Sequence, residues 1–410
     1  MNNDYRKIYN CRVCDGTNLT DILDLGMQPW GNDFRDNPGE AKKYPLQTLF
    51  CNDCSTFQVK HNVPKEIMYD DHTYLSGANQ SMYEHFQSVS LSAYQKSNNS
   101  AKFVVDIGSN DGTLLKTYKE IGLNVLGVEP CKNISEEAIA SGIPTVIDFF
   151  DNDIANQIIK NHGHADIISA ANVFYHVEEL HDIVKGIKNL LSSDGIFIVQ
   201  GTYLPNLIEK NEFDIIYHEH LLYYRIENLN FLLKRYDLEV FDVDFAEVHG
   251  GSFIAYICHK GAKVISNEVN EVISQEISKG YHTIEPYMNF ATRVEELKTS
   301  IQKTIRSILD NGKSIYAYGA PVKGTVMMNY CELDSSMIPI AAEVNKAKIN
   351  KYIPGVDIKV LDEASLDEPD YYFLLSWNFL DHFMKSKEYL SGKRKFIVPV
   401  PQPRVVKIDE

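Results

Sequence analysis

The chain has 410 residues, 44% of them hydrophobic and 23% charged, which is typical of globular proteins and excludes disordered and fibrous classes. Asp and Glu number 56 against 40 Lys and Arg, so the formal net charge is −16. Because a surface this acidic repels polyanions, we expect neither nucleic acid nor an anionic membrane as a partner.

The sequence shows no sign of export or of membrane insertion. Residues 1–10 contain no apolar core of the kind that a secretory signal needs, and the most apolar run, residues 371–380, is too short to span a bilayer. The seven cysteines are an odd number, which argues against a disulfide framework. We therefore expect a cytoplasmic protein, and its length predicts two or three domains.

Four of the seven cysteines form two C-x-x-C pairs, Cys11/Cys14 and Cys51/Cys54. Each pair can present two thiolates on one side of a turn, and two such pairs close a tetrahedron around zinc with no position left for water. The segment over residues 25–34 looks loop-like and too short of apolar periodicity for its own core, so a metal is expected in its place. We predict a structural zinc site. Redox pairs or buried thiols are the alternatives, although neither pair has the βαβ context of a thioredoxin-like site.

From about residue 102, the pattern changes to strands that alternate with helices. Apolar runs predict strands over residues 103–107, 125–129, 165–171 and 195–200, and a helix over residues 113–121. Short strands that alternate with helices imply a parallel sheet covered on both faces. We therefore predict a Rossmann-like α/β fold for this part of the chain.

A glycine-rich turn, residues 108–112, follows the first of these strands. A dinucleotide site needs a glycine where Asn110 stands, and Asp111 would repel a phosphate. An acidic turn suits a cationic ligand such as S-adenosylmethionine, and Glu129, at the end of the second strand, is placed to hold ribose hydroxyls. An ordinary βα turn is the alternative. The predicted cofactor-binding residues are Asp106, Gly108, Asn110, Asp111, Gly112, Glu129 and, after the third strand, Asn172.

Four ionisable or hydroxylic side chains are adjacent at Tyr217, His218, Glu219 and His220. His176 follows the third predicted strand, and the carboxyl ends of strands carry the site in a doubly wound sheet. A histidine can take a proton near neutral pH, and a neighbouring carboxylate can steady the imidazolium. The cluster favours proton-transfer chemistry, with a rim of inert histidines as the alternative. The residue order is not H-E-x-x-H, so a catalytic metal is not indicated.

The last third of the chain also predicts α/β structure, with strands over residues 313–319, 339–343 and 371–375. Before them, residues 265–309 are mostly helical, and Glu276 is expected on an exposed face. Lys323 follows a Gly/Ala turn at a helix start, which suits a diphosphate held by backbone N–H groups and one charge. A packed turn with a solvated lysine is equally consistent with the sequence.

Together these motifs resemble the sugar C-methyltransferases of antibiotic and surface-polysaccharide deoxysugar biosynthesis, which methylate a nucleotide-linked ketosugar. The shared segments occur in one order: the two C-x-x-C pairs, with residues 25–34 between them, and then residues 74–77, 106–112, 216–220, 249–252 and 318–324. The resemblance implies three domains: a zinc module over residues 1–72, a class I S-adenosylmethionine-binding domain over residues 73–262, and a C-terminal α/β domain over residues 263–410 that helps to hold the nucleotide sugar.

The resemblance also implies residue roles. The base of the family is the histidine of a Y-x-E-H motif, and the family's chemistry is independent of its structural zinc. Carried onto this sequence, the catalytic residues are His220 with Glu219, Tyr217, His176 and Tyr74, and the substrate-binding residues are His249 and Lys323.

We therefore expect methyl transfer from S-adenosylmethionine to the carbon adjacent to the ketone of a nucleotide-diphosphate deoxysugar, after a histidine has removed a proton from that carbon. The alternatives are an O-methyltransferase that acts on a sugar hydroxyl, a zinc-binding scaffold without activity and, opposed by Asn110 and Asp111, a nicotinamide oxidoreductase.

Overall fold

The computed structural model describes residues 5–39, 41–69, 75–78, 80–385 and 394–407. The N-terminal part is mainly antiparallel sheet, with a short 3₁₀ turn, Ser76–Ala78, at its end. Its strands and helix are β1 (Arg6–Lys7), β2 (Leu19–Pro29), β3 (Lys43–Cys51), β4 (Phe57–Val59), β5 (His61–Asn62) and α1 (Lys65–Tyr69). β2 pairs with β3, and β3 pairs with β4, while β1 and β5 form a separate two-stranded sheet.

The central part alternates helices and strands, as the sequence predicts. Its elements are α2 (Gln80–Lys96), β6 (Phe103–Ile107), α3 (Thr113–Glu120), β7 (Asn124–Val128), α4 (Lys132–Ala140), β8 (Thr145–Val146), α5 (Asn152–His162), β9 (Ala165–Ala171), α6 (Leu180–Leu190), β10 (Leu191–Thr202), α7 (Leu204–Glu209), β11 (Leu222–Tyr223), α8 (Ile226–Lys234), β12 (Leu238–Ala246) and β13 (Ser252–His259). Short 3₁₀ turns occupy Phe213–Ile215 and Val248–Gly250.

Seven strands of the central part form one sheet in the order β8-β7-β6-β9-β10-β13-β12. Neighbours from β8 to β10 pair in parallel, and β13 runs antiparallel to both β10 and β12. This order puts a topological switch point between β6 and β9, where a ligand crevice opens beyond the carboxyl ends of the strands. The predicted Rossmann-like fold is confirmed.

Continuous apolar runs located the buried strands closely. β6 and β9 have the predicted bounds, because most residues of parallel strands that are covered on both faces are apolar. β10 is longer than predicted. It begins at Leu191, and its pairing with β9 shifts register between Leu191 and Ile196, an irregularity that an apolar run does not reveal.

The C-terminal part begins with two helices and continues as a second α/β sheet. Its elements are α9 (Asn267–Ser278), α10 (Glu285–Asp310), β14 (Ile315–Tyr318), α11 (Val322–Tyr330), β15 (Ile340–Glu343), β16 (Tyr352–Ile353), β17 (Ile358–Asp362), β18 (Tyr371–Leu374), α12 (Leu380–Lys385), β19 (Lys395–Val398) and β20 (Arg404–Lys407). The strand order is β16-β17-β15-β14-β18-β19-β20, which confirms the predicted C-terminal α/β domain. None of the helices in the described ranges has both the length and the apolar character that crossing a membrane requires.

The prediction of a loop without a core between the cysteine pairs was wrong. Residues 25–29 belong to β2, and Leu25, Phe50 and Phe57 are buried. The ring centre of Tyr287, on α10, lies 4.7 Å from that of Phe50 and 5.3 Å from that of Phe57. A helix of the C-terminal part therefore completes this core, which periodicity within the segment cannot show.

Glu276, expected on an exposed helix face, is in fact only 1% exposed. Its carboxylate accepts hydrogen bonds from the hydroxyl of Tyr203 at 2.8 Å and from the backbone N–H groups of Ile226 and Glu227 at 2.8 and 2.9 Å. The first N–H groups of a helix have no partner within the helix. The Glu276 carboxylate on α9 therefore accepts hydrogen bonds from the first N–H groups of α8. These hydrogen bonds replace those that an exposed Glu276 would make to water.

β11 joins the N-terminal sheet although it belongs in sequence to the central part. Leu222 and Tyr223 pair antiparallel with Gln58 and Phe57 of β4. Because residues 217–220 directly precede β11, the polar cluster lies where the N-terminal sheet meets the central part.

Candidate active site

The four predicted cysteine ligands come together in space. The Sγ atoms of Cys11, Cys14, Cys51 and Cys54 all lie within 4.8 Å of one another. The separations are 3.6 Å from Cys11 to Cys54 and 3.5 Å from Cys14 to Cys51. A tetrahedral zinc ion with Zn–S bonds of about 2.3 Å needs sulfur atoms about 3.8 Å apart. The residues present therefore fit a structural zinc ion.

The two cysteine pairs lie in matched turns. The N–H of Asp15 donates to the carbonyl of Cys11 at 3.0 Å, and that of Ser55 donates to the carbonyl of Cys51 at 2.8 Å. Asp15 and Ser55 have positive φ angles of 64° and 58°. Arg235, which follows α8, donates to Asp15 Oδ2 at 2.8 Å, so one turn is fastened to the central part.

We expect metal analysis of the native protein to find one zinc ion per chain. Replacing Cys51 by Ser should deplete soluble folded protein, because binding of structural zinc contributes directly to folding. Zinc content and thermal melting with and without a chelator check this, and Cys258→Ala, a buried cysteine outside the cluster, is the control. Zinc-free protein that melts at the untreated temperature would contradict the assignment.

The turn between β6 and α3 requires both of its glycines. Gly108 has a φ of +66°, and a Cβ there would lie 2.7 Å from Val173 Cγ2. Gly112 has a φ of +76°, and a Cβ there would lie 3.0 Å from Ile143. Asn110, between them, also adopts the left-handed region, at 51°. The turn therefore packs closely against the loop that follows β9, at the carboxyl edge of the sheet.

Glu129 follows β7 at the same edge and is 6% exposed. Its Oε2 accepts from the N–H of Asn110 at 3.0 Å, and its Oε1 accepts from the N–H of Cys131 at 2.9 Å. Burial raises the pKa of this carboxyl. Each oxygen keeps further acceptor capacity, so Glu129 is a fixed acid that can accept hydrogen bonds from the hydroxyl groups of a ligand.

Asp111 contacts its own chain. Its Oδ2 accepts from the N–H of Gly77 at 2.8 Å, and its Oδ1 accepts from the N–H and hydroxyl of Thr113 at 3.1 and 2.6 Å. Asn110 Oδ1 accepts from the N–H of Ser76 at 2.9 Å. These side chains fasten the preceding 3₁₀ turn to the glycine turn, whereas the sequence predicted Asp111 as the partner of a cationic ligand.

Two other predicted cofactor residues are held by neighbouring strands. Asp106 is 3% exposed and accepts from the hydroxyl of Ser169 at 2.6 Å, and burial raises the pKa of Asp106 to about 7. Asn172 has a φ of 59°, and its N–H donates to the carbonyl of Gln200 at 2.9 Å. Asp106 therefore makes its contact inside the sheet, and Asn172 lies at the edge of the crevice.

The structure brings the two predicted histidines together. The rings of His176 and His220 are stacked, with centres 5.1 Å apart and planes inclined by 23°. The ring centre of Tyr217 is 3.8 Å from that of His220, and Tyr175 lies edge-on to both histidines at 4.7 and 4.6 Å. His220 is 5% exposed. Two imidazoles and two phenols thus form one compact group, the histidine–tyrosine cluster.

His218 belongs to a different environment from its neighbours. It is 1% exposed, and its ring lies edge-on to that of Tyr44, on β3, at 5.8 Å. Desolvation lowers the pKa of His218 to about 4, so this ring is neutral near pH 7. His218 therefore packs within the N-terminal part and does not join the histidine–tyrosine cluster.

Glu219 is held by the N-terminal part of the chain. The indole N–H of Trp30 donates to Glu219 Oε1 at 2.6 Å. Burial raises the pKa of Glu219 to about 7, while the Trp30 hydrogen bond and the positive charge of Lys348 act in the opposite direction. The sequence predicted Glu219 as the carboxylate that steadies the His220 imidazolium, whereas in the structure the Glu219 carboxylate accepts a hydrogen bond from Trp30.

Lys323 lies in a charge cluster between the central and C-terminal parts. It is 9% exposed, donates to Asn378 Oδ1, and lies 3.6 Å from the ring centre of Trp377. The indole N–H of Trp377 donates to Asp214 Oδ2 at 2.7 Å, and Glu212, a second carboxylate of this cluster, is 1% exposed. Desolvation lowers the pKa of Lys323 to about 8, against the pull of both acids. Two buried carboxyl groups lie close to one ammonium group, and their negative charge when ionised disfavours the binding of a diphosphate at Lys323.

Sequence reasoning missed both tryptophans of the chain. Trp30 and Trp377 each donate an indole N–H to a buried carboxylate of the segment over residues 212–220. The available signal was the position of Trp30 directly after Pro29 in the shared segment. Tyr74 and the side chain of His249 lie outside the described residues, so their roles stay predictions.

Three family models match successive parts of the chain. A zinc binding domain matches residues 11–69, a methyltransferase domain matches residues 83–243, and a C-methyltransferase C-terminal domain matches residues 247–401. Among characterised proteins, the C-methyltransferase NovU of Streptomyces niveus is 30% identical over 409 residues, which is 98% of this chain and 97% of that protein.

Solved structures give weaker matches. An S-adenosylmethionine-dependent methyltransferase from Clostridium acetobutylicum is 13% identical, with a TM-score of 0.35 over 44% of this chain and 92% of that one. The CcbJ methyltransferase from Streptomyces caelestis is 12% identical, with a TM-score of 0.35 over 43% of this chain and 90% of that one.

The full-length relative and the three family models point to one family, and the zinc binding model covers all four of the clustered cysteines. The chain therefore belongs to the C-methyltransferase family, as an S-adenosylmethionine-dependent enzyme with an N-terminal zinc-binding domain.

Proposed function

We propose that the enzyme methylates the carbon next to the ketone of a nucleotide-linked deoxysugar, with His220 as the general base. The observation that carries this proposal is the histidine–tyrosine cluster: the stacked rings of His176 and His220 with Tyr217 and Tyr175 around them. The cluster offers a base and several hydrogen-bond donors at one place. Enolisation of a ketone needs both functions together.

His220 is assigned the proton transfer. A carbon beside a ketone is a poor nucleophile until it loses a proton, and an imidazole can accept that proton near neutral pH. The ring of His220 is held between those of His176 and Tyr217, so its orientation is restricted before the substrate binds. Such preorganisation lowers the entropy cost of reaching the reactive geometry.

His176 and Tyr217 are assigned to the enolate oxygen. Both are half-buried and both lie against the ring of His220. A hydrogen bond from either group to the ketone oxygen grows stronger as negative charge develops there, which stabilises the transition state more than the ground state. Glu219 precedes His220 in sequence and adds a buried carboxyl to this segment, and Tyr74 is the remaining predicted member of the site.

S-Adenosylmethionine, when bound, supplies the methyl group. Glu129 is assigned the ribose hydroxyls, and the turn from Gly108 to Gly112 is assigned close contact through its backbone. Asp111 and Asn110 act by holding the 3₁₀ turn of Ser76 and Gly77 against the glycine turn. Asp106 and Asn172 are assigned to the same pocket as supports of the strand ends.

Replacing Glu129 by Ala should weaken S-adenosylmethionine binding by about 1–3 kcal/mol, or roughly 5- to 150-fold in Kd, because charge-assisted hydrogen bonds are lost. Titration calorimetry checks this result. Glu136→Ala on α4, where the acid is exposed, is the matched control and should leave Kd unchanged. An unaltered Kd for Glu129→Ala would remove Glu129 from the cofactor site.

The nucleotide sugar is proposed to bind where the central and C-terminal parts meet. The turn Val248–Gly250, which carries His249, lies close to Trp377: a Cβ on Gly250 would be 3.2 Å from Trp377 Cη2. Lys323 reaches the same tryptophan. We therefore assign Lys323 to the support of this junction in place of the diphosphate contact predicted from sequence.

Incubation with methyl-labelled S-adenosylmethionine and a panel of nucleotide-linked ketosugars tests the proposal. We expect a new carbon–carbon bond, seen by NMR as a C-methyl signal, and the reaction should fail with the corresponding sugar that carries a hydroxyl in place of the ketone. An O-methyl signal, or equal turnover of the ketone-free sugar, would overturn the enolisation mechanism.

A further inference from the structure

Glu219 lies where all three parts of the chain meet. The residue itself belongs to the central part and is 5% exposed. Trp30, from the N-terminal part, donates its indole N–H to Glu219 Oε1 at 2.6 Å. Lys348, from the C-terminal part, acts on the Glu219 carboxylate through its positive charge. The Glu219 carboxyl group therefore interacts with both the N-terminal part and the C-terminal part.

The two flanking groups are anchored to each other as well. The hydroxyl of Thr325, on α11, donates to the carbonyl of Gly31 at 3.0 Å. Lys348 Nζ donates to the carbonyl of Ala320 at 2.9 Å and lies 4.6 Å from the ring centre of Phe34. The segment that carries Trp30 thus packs against α11 and Lys348 of the C-terminal part.

We propose that Trp30 and Lys348 are positioning residues of the active site, which hold the Glu219 carboxylate and set the pH at which it ionises. The inference rests on the proposed role of Glu219 beside His220. It extends that role, because the zinc-binding part and the C-terminal part would then each contribute directly to the site.

The direction of the effect follows from the charges that face Glu219. Lys348 and the Trp30 N–H favour the ionised carboxylate, and burial favours the neutral acid. His218 and His220 flank Glu219 in sequence, and Glu343 faces Lys348 from β15. Removing either Trp30 or Lys348 therefore removes a group that favours ionisation, so the pKa of Glu219 should rise.

Infrared difference titration of the full-length protein, without substrate, measures this ionisation directly. The carboxyl band that titrates in the wild type and is missing from Glu219→Gln identifies Glu219. We expect its midpoint near pH 7 in the wild type, and about one pH unit higher in Trp30→Phe and in Lys348→Met. Lys348→Arg keeps the charge and should titrate close to the wild type, which a merely structural role of Lys348 does not predict.

Zinc content and thermal melting verify that each variant is folded, and Trp30→Phe carries the test if Lys348→Met unfolds. Wild-type midpoints in both Trp30→Phe and Lys348→Met would overturn the inference. Because the titration needs no ketosugar, that failure is separate from failure of the proposed function, which shows only in the methylation product.

Discussion

Replacing His220 by Asn should lower methyl transfer by roughly 100- to 10,000-fold, the usual range for loss of a general base. Asn keeps a planar polar group but cannot accept the proton. The affinity for S-adenosylmethionine should stay nearly unchanged, because the residues assigned to the cofactor lie on the glycine turn and at Glu129. Single-turnover rates and calorimetry on the same preparation separate these two effects.

His282→Asn is a suitable control, because His282 is exposed before α10 and is remote in sequence from the site. It should turn over like the wild type. The methyl-transfer rate of His176→Asn should lie between those of His220→Asn and the wild type. This variant removes a proposed donor to the enolate oxygen and leaves the base in place. If His220→Asn retains turnover within a factor of a few of wild type, another residue is the base.

At pH values where Asp214 and Glu212 are ionised, replacing Lys323 by Met should destabilise the fold by about 3–5 kcal/mol, because it leaves buried carboxylates without their positive partner. Asp214 and Glu212 are both almost fully buried, so solvent compensates little. Unfolding in denaturant can be followed by tryptophan fluorescence, since Trp377 lies against Lys323. Lys303→Met, at an exposed lysine of α10, is the matched control. Wild-type stability combined with a raised KM would instead assign Lys323 to the diphosphate.

The stability that is lost when Met replaces Lys323 should depend on pH. Burial raises the pKa of Glu212 to about 8, and it raises the pKa of Asp214 as well. Both acids bind protons more tightly in the folded chain than in the unfolded chain, so their contribution to stability falls as the pH rises from the unfolded pKa through the folded one. Without Lys323 both pKa values rise further. The stability lost in Lys323→Met should therefore be larger near about pH 8 than near about pH 6.

The parts of the fold that could be predicted are those whose burial is local. β6 and β9 are mostly apolar because both faces of a parallel sheet are covered. The core of the N-terminal sheet could not be predicted, because Phe50 and Phe57 pack on Tyr287 of α10. Glu276 was wrongly predicted to be exposed for the same reason, since the N–H groups that donate to its carboxylate belong to another segment, the start of α8.

The residues of the candidate site also fall into those that could be predicted from sequence and those that could not. The four cysteines could be named from sequence because two C-x-x-C pairs form a specific pattern, and His176 and His220 because one follows a predicted strand and the other lies in a cluster of polar residues. The partners of Glu219 and Lys323 could not be named. Trp30 and Trp377 reach these groups only after the flanking parts have packed against the central part, and no local pattern encodes that packing.

The most direct test of the mechanism separates proton removal from methyl transfer. With S-adenosylhomocysteine in place of the methyl donor, and a ketosugar that the methylation assay has identified as a substrate, NMR follows exchange of the proton beside the ketone with deuterated solvent. We predict exchange by the wild-type enzyme, and exchange slowed by at least about 100-fold in His220→Asn. Exchange at the wild-type rate in His220→Asn would contradict the assignment of His220 as the base.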